Sequence, residues 1–351
     1  MITNIRLKSL RRLKNISLNT NHKLIIFVGP NAIGKTTILE GIYVAAVGSS
    51  FKTRNFKELI RFNDSYTKIS LTNDDNVYNV ILSESGRKML INGNSILKLS
   101  DYIGHFQTVL FSPTDVNFVK GEKGIRRSFF DLEISLRDKN YLKLIQDYKK
   151  ILKKRNELLR LQNFDEILLD TLTKEMNKRQ IKIIELREKM IQALNNEFKN
   201  LKNVLGYEEL IEIKYLKSVT SKDLDDFYLN KLEYDKSTHI TNFGVHRDNY
   251  VFYLNDLEVS QYASEGQLRS VALILKIALA SLTFKLNNIQ PALLLDDVFS
   301  CLDDKRCSYL VKYLLDQNQA FITTTSIENI PSDLIHQAYI INLKEWKLWQ
   351  I

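Results

Sequence analysis

At 351 residues the chain is long enough for two domains, or for one large domain carrying an insertion. Its 44% hydrophobic and 26% charged residues exclude a disordered chain; Met1 to Arg6 hold no apolar signal core, and the best candidate for a membrane span, residues 271–282, is short and interrupted by Lys276, so a cytoplasmic protein without a membrane partner is expected. Two cysteines without CxxC spacing, Cys301 and Cys307, and five scattered histidines give no disulfide framework and no metal signature, while the net charge of +9 suits a polyanionic partner such as nucleic acid, or simply a lysine-rich protein.

Residues 23–28, Lys-Leu-Ile-Ile-Phe-Val, make a short apolar and β-branched run, predicted as a buried strand. Gly29, Pro30, Asn31, Ala32, Ile33, Gly34, Lys35 and Thr36 follow and fit G-x-x-x-x-G-K-[ST] at every fixed position. Helical spacing through Ile38, Leu39, Ile42 and Val47 comes next, so the motif lies between strand and helix, the context of a P-loop that binds ATP. Glycines let the backbone curl its N–H groups towards phosphate oxygens, and the helix N-terminus adds its positive end. Lys35 is then placed to reach the β- and γ-phosphates, and Thr36 to ligate Mg²⁺.

From 137 to 189 there are 15 lysines and arginines against 9 acids, so most of the net surplus lies there. Tyr141, Leu144, Ile145, Tyr148, Ile151, Leu152, Leu158 and Leu159 share one helical face; Met176, Ile183, Ile184, Met190, Ile191, Leu194, Phe198 and Leu201 share another. Asn163 and Glu166 are spaced as a capping box between them, which predicts a basic helical hairpin. Its basic face is either the solvated side of a packed subdomain or a DNA-contacting surface.

Ser264-Glu265-Gly266-Gln267 precedes a helical pattern over 268–282. Alone, Ser264 reads as an ordinary N-cap. After a P-loop and before an acidic strand, the tetrad is the core of an ABC signature, in which the serine hydroxyl, the Gly266 N–H and the helix tip hold the γ-phosphate of a partner copy, with Gln267 beside them. The acidic strand is residues 291–297, ending in Asp296 and Asp297. Asp296 should hold Mg²⁺ and Asp297 should orient water or act as base, with Lys35 as the third catalytic group. Thr36 and Ser264 are 228 positions apart, a larger insertion than a transporter head carries.

With these motifs in order, the chain resembles the RecF family of bacterial DNA replication and repair ATPases, nearly end to end. The likeness runs through the P-loop with Ala32, then 39–43 and 50–53, then Val109-Leu110-Phe111-Ser112-Pro113-Thr114-Asp115, then 119–121, 126–135 and 148–156. It continues through Gly244-Val245-His246-Arg247-Asp248, 293–303 with its D-loop, and Phe321-Ile322-Thr323-Thr324-Thr325. The resemblance implies an α/β fold, an ABC-type P-loop ATPase head with an inserted helical arm. The boundaries expected are 1–118 and 235–351 for the ATPase lobe and 119–234 for the arm. It implies slow, DNA-dependent ATP hydrolysis, ATP-driven homodimerisation on double-stranded DNA, and work with RecR and RecO in placing RecA at single-strand gaps during DNA damage and the SOS response.

The sequence departs from the family pattern at Leu13, Val245, Glu265, Leu268 and Cys301. Glu265 sets an added negative charge beside the incoming phosphate and should weaken the dimer. Gln107 precedes its strand, and Thr325 stands where many ABC heads have a histidine. Arg126 and Arg127 read either as a solvated turn or as a DNA or phosphate contact, and His246 and Arg247 either as braces of a strand over 250–254 or as a functional segment. The alternatives are another SMC- or Rad-like ABC ATPase of DNA metabolism, and a DNA-binding scaffold with a decayed ATP site; intact Lys35, Thr36, Asp296 and Asp297 argue against the second.

Overall fold

The structure, a computed structural model, describes residues 1–344 apart from 74, 162, 206, 303, 317 and 318. Asp303, the last residue of the expected D-loop block, therefore lies outside the described residues. The chain divides into two compact units: Met1–Val116, Glu197–Glu209 and Ser264–Ile351 form the first, and Asn117–Asn196 with Leu210–Ala263 the second. The second boundary expected at 234/235 is corrected by this division. Residues 235–263 stay with the helical unit because Asn249–Leu254 pairs antiparallel with Ile211–Leu216 along its whole length. Glu197–Glu209 joins the first unit, where the Glu197 carboxylate accepts from Ser281 at 2.6 Å and from Lys285.

The first unit holds a five-stranded parallel sheet in the order Tyr339–Asn342, Leu24–Val28, Ala320–Thr324, Ala292–Asp296, Thr108–Phe111. The last four of these strands are buried at every residue. A parallel sheet covered on both faces has this property, which is why Leu24–Val28 and residues 292–295 read as unbroken apolar runs. A second sheet is antiparallel and six-stranded: Leu13–Asn19, Ile2–Leu10, Tyr66–Asn73, Val77–Ser83, Gly86–Ile91, Asn94–Ile96. It buries one face through Ile5, Leu7, Ile16, Leu18, Ile69, Leu71, Val80 and Leu82 and leaves the alternate residues outside.

The helix Lys35–Val47 packs between these sheets, with 12 of its 13 residues buried. Beyond its first turn and Glu40 it is apolar on all sides, because it has no solvent side. Gly41 permits the close approach: a Cβ there would lie 2.7 Å from the Leu7 side chain. Buried Glu40 is answered by Arg11, at 2.5 and 2.9 Å, and by Ser50. The helix Glu265–Asn287 lies against Thr108–Phe111. By length and composition it could cross a membrane, but 72% of its apolar window is buried in the fold, and Lys276 within it lies 3.8 Å from Asp115. At the far end of the parallel sheet the buried Gln319 amide accepts from the Ile2 N–H at 2.6 Å and donates to the Ile2 and Thr20 carbonyls.

In the second unit, the helix Lys139–Leu159 runs antiparallel to the part of the helix Glu166–Leu205 that precedes Glu197: Arg155 bonds Thr173 and Arg187 bonds Tyr141. The cap of the long helix is Asp165, whose carboxylate accepts from the N–H groups of Ile167 and Leu168, rather than the expected Asn163. Several basic residues of the stretch are interior. Arg155 meets Asp235 at 2.9 Å, and Arg187 meets Asp248 at 2.7 Å and Asp131 at 2.8 Å, all with almost no exposure of the arginine side chain. Part of the surplus read from the sequence is thus neutralised by acids from outside it.

Candidate functional site

The P-loop forms where the strand Leu24–Val28 ends and the helix Lys35–Val47 begins. Gly29 continues the strand through its N–H to the Thr324 carbonyl at 3.3 Å. Pro30, Asn31 and Ala32 are the exposed crown of the loop, with Ile33 half-buried behind them. The curl needs two left-handed residues. Gly34 at φ 110 takes a conformation that side chains resist, and Ala32 sits at φ 64 where many ABC heads have glycine. Arg12 supports that strained turn by donating to the Ala32 carbonyl at 2.6 Å. Sequence reasoning noted Leu13 and missed its neighbour, since nothing in the pattern shows Arg12 reaching the loop.

Lys35 is buried, and its ammonium donates to the carbonyls of Gly29 at 2.6 Å and Pro30 at 3.0 Å. Burial pushes its pKa below the ordinary lysine value, while the charges of Asp297 and Asp296 pull it back up. The Thr36 hydroxyl lies 2.9 and 3.0 Å from the two oxygens of Asp296. This hydroxyl and carboxylate, drawn together from positions 260 apart, are hard oxygen donors of the kind that Mg²⁺ takes alongside nucleotide phosphates, so the residues present fit that ion. Asp297 follows in a left-handed turn, φ 49, with Ser300 donating to its carboxylate at 2.8 Å.

Thr323, on the strand next to Asp296 and in register with it, was not singled out from the sequence. Its hydroxyl donates to Asp296 Oδ1 at 2.7 Å and accepts from the Asp297 N–H at 3.0 Å. Only pairing the two strands reveals it, because the residues are 27 apart in sequence. Gln107 turns back on its own loop, donating to the Gly104 carbonyl at 3.3 Å, and its backbone joins Ala292.

Ser264 caps the helix Glu265–Asn287 in a capping box: its Oγ accepts from the Gln267 N–H at 3.3 Å, and the Gln267 side chain accepts from the Ser264 N–H at 2.9 Å. Gln267 is therefore directed to its own helix tip. Ser264, Glu265 and Gly266 are exposed, and a Cβ at Gly266 would meet nothing within 4 Å. Among the described residues nothing requires a glycine at 266. Among the described residues no hydrogen bond joins this tip to the P-loop. Its helix packs on Thr108–Phe111, three strand positions from the P-loop strand, or roughly 14 Å at ordinary strand spacing.

The other candidates make structural contacts, and the solvated turn expected for Arg126 and Arg127 is corrected. Arg126 and Arg127 lie on the helix Lys123–Arg137 rather than in a solvated turn; Arg126 donates to Asn249 at 3.1 Å and to the Gly121 carbonyl at 2.7 Å, and Arg127 to the Asp248 carbonyl at 2.8 Å. His246 bonds Tyr148 at 2.7 Å and the Thr241 carbonyl at 3.0 Å, and burial lowers its pKa to about 4. Asp248 receives Arg187, Tyr215 and the Ser218 N–H. These residues brace the strand Asn249–Leu254.

The RecF/RecN/SMC N terminal domain matches residues 1–341. The "DNA replication and repair protein RecF" of Bacillus velezensis is 35% identical over 372 aligned positions, covering 99% of each chain. A solved structure described as the recombination mediator protein RecF-ATP in the RecFOR pathway is 30% identical, covers 94% of this chain and 93% of its own, and superposes with a TM-score of 0.86. The Smc head domain of Pyrococcus furiosus, at 14% identity over 97% of this chain and 93% of its own, shares the fold with a TM-score of 0.56. The α/β class with an ABC-type head is as expected, and by both sequence and architecture the chain belongs to the RecF family.

Proposed function

We propose that this chain is an ATP-binding ATPase of DNA repair and replication in the cytoplasm, in which Mg-ATP joins two copies head to head on duplex DNA and slow hydrolysis lets them part. One arrangement carries the reading: Thr36 and Asp296 meet beside Lys35 at the ends of parallel strands, while Ser264 and Gly266 stand exposed on a helix tip that, among the described residues, makes no bond to that site. A half-site and a spare phosphate-binding tip on one chain call for a second chain.

Lys35 leaves the Gly29 and Pro30 carbonyls for the β- and γ-phosphates, exchanging neutral acceptors for charged ones. Mg²⁺ held by Thr36 and Asp296 would offset the negative charge of those phosphates. The Ser264 Oγ already accepts from Gln267, which leaves its own proton for a phosphate oxygen of the partner's nucleotide. Asp297 orients the attacking water; it is one methylene shorter than the glutamate of fast ABC ATPases, so turnover is slow, and transporter-like rates would contradict this. The RecFOR pathway named for the solved relative supports RecR and RecO as partners, with RecA placed at single-strand gaps as the outcome.

The test is the mass in solution by light scattering, with and without ATP and duplex DNA. The parent should dimerise with ATP, and Ser264→Arg should bind ATP yet stay monomeric. An ATP-dependent dimer of Ser264→Arg refutes the cross-copy role.

A further inference from the structure

We propose that Thr323 is the positioning residue that fixes both acidic groups of the site, and that its hydroxyl sets the affinity of the site for Mg²⁺. The inference rests on the ATPase reading above and goes beyond it. Thr323 is fully buried and sits directly opposite Asp296 in the parallel pair, so both side chains leave the sheet on the same face. A hydroxyl has one proton, and here it goes to Asp296 Oδ1 at 2.7 Å; one of its lone pairs takes the Asp297 N–H at 3.0 Å.

The two bonds act on different atoms. The first ties Oδ1 of Asp296 to the protein and leaves Oδ2, whose only partner among the described residues is Thr36, for the cation side of the site. The second pins the peptide that opens the left-handed turn at Asp297 and so fixes where that carboxylate points. The two threonines differ in station. Thr36 is half-buried and would be recruited to the ion, whereas Thr323 has no exposure and remains behind the carboxylate as its permanent donor. Thr325, at the place where many ABC heads carry a histidine, lies beyond the end of the strand Ala320–Thr324. On this strand Thr323 is the residue that touches the acids.

The experiment compares Thr323→Val, which keeps the shape and loses the hydroxyl, with Thr323→Ser, which keeps the hydroxyl. A fluorescent ATP analogue is titrated in EDTA and then over a range of Mg²⁺. The valine chain should bind the analogue in EDTA as the parent does, need roughly tenfold more Mg²⁺ for half-maximal tightening, and lose kcat with little change in KM at saturating Mg²⁺. The serine chain should stay close to the parent in all three. In an Asp296→Asn background the valine substitution should leave the Mg²⁺ requirement unchanged, since that effect passes through the Asp296 carboxylate, while the bond to the Asp297 N–H is lost in either background. If the valine chain does not fold, Thr323→Ala is read in the same assay. A valine or alanine chain with the parental Mg²⁺ requirement overturns the proposal and leaves the ATPase reading standing. A parent chain with no Mg²⁺-dependent nucleotide binding overturns both.

Discussion

Lys35 rests on carbonyls of its own loop, from which its ammonium is placed to reach a phosphate. Lys35→Ala should therefore weaken ATP binding by about 100-fold or more, measured by calorimetry, with the fold intact by circular dichroism. His246 gives a prediction of a different kind. A carbonyl only accepts, so Nε2 carries the proton towards Thr241, and Nδ1 accepts from the Tyr148 hydroxyl; the ring is held neutral. Its pKa is about 4 in the fold and near 6.5 when the chain is open. As pH falls from 6.5 towards 4 the unfolded chain takes up a proton that the folded chain refuses, so stability drops by up to about 3 kcal/mol across that window. Arg247, Arg127 and Asp235 also act on the ring and are unchanged in His246→Gln, whose urea midpoints should fall less steeply over the same pH range. At this scale the sequence was legible where function dictates local spacing: Gly34, Lys35 and Thr36 are contiguous, and Asp296 ends an apolar run. Thr323 and Arg12 were not, because their partners come from other strands.

Among the elements, the helical hairpin was legible through its 3.6-residue period, but the purpose of its charges was not. Arg155 and Arg187 look like surface residues in sequence and are the buried centres of ion pairs with Asp235, Asp131 and Asp248. Arg187→Met should destabilise the second unit by about 3–5 kcal/mol in urea, because it leaves the buried Asp248 carboxylate without its charge partner. A loss under 1 kcal/mol would mean that the Asp248 charge is answered by the Tyr215 hydroxyl and the Ser218 N–H alone. The antiparallel sheet had no place in the chain-order reading, though Ile2–Leu10 and Tyr66–Asn73 alternate buried and exposed residues. Period-two signals in short strands are weak, and the polar residues of the outer face dilute them. Asp165 displaced Asn163 as cap because both suit the position and only the backbone decides between them.

For the whole molecule, the basic balance makes DNA association an electrostatic matter. Binding to a short duplex should fall by about a thousandfold between 50 and 200 mM salt if several phosphates are neutralised, and a flat response would remove the argument from charge. The buried arginines contribute nothing to that slope, so its size counts only the lysines and arginines that face water. The second unit extends to Ala263 rather than ending at 234, and the sequence does not show this because strand pairing between Ile211–Leu216 and Asn249–Leu254 leaves no local mark near Ala263.

The Gln319 amide also orders events in time. The strand Ile2–Leu10 leaves the ribosome first, yet its Ile2 N–H meets the Gln319 side chain only when residue 319 emerges. The strand Leu24–Val28 waits as long for Ala320–Thr324 and longer for Tyr339–Asn342. The helical unit has all its segments by residue 263. A nascent chain thus carries a finished arm beside an open, apolar nucleotide core through the last quarter of translation, the stage at which a chaperone has most to cover.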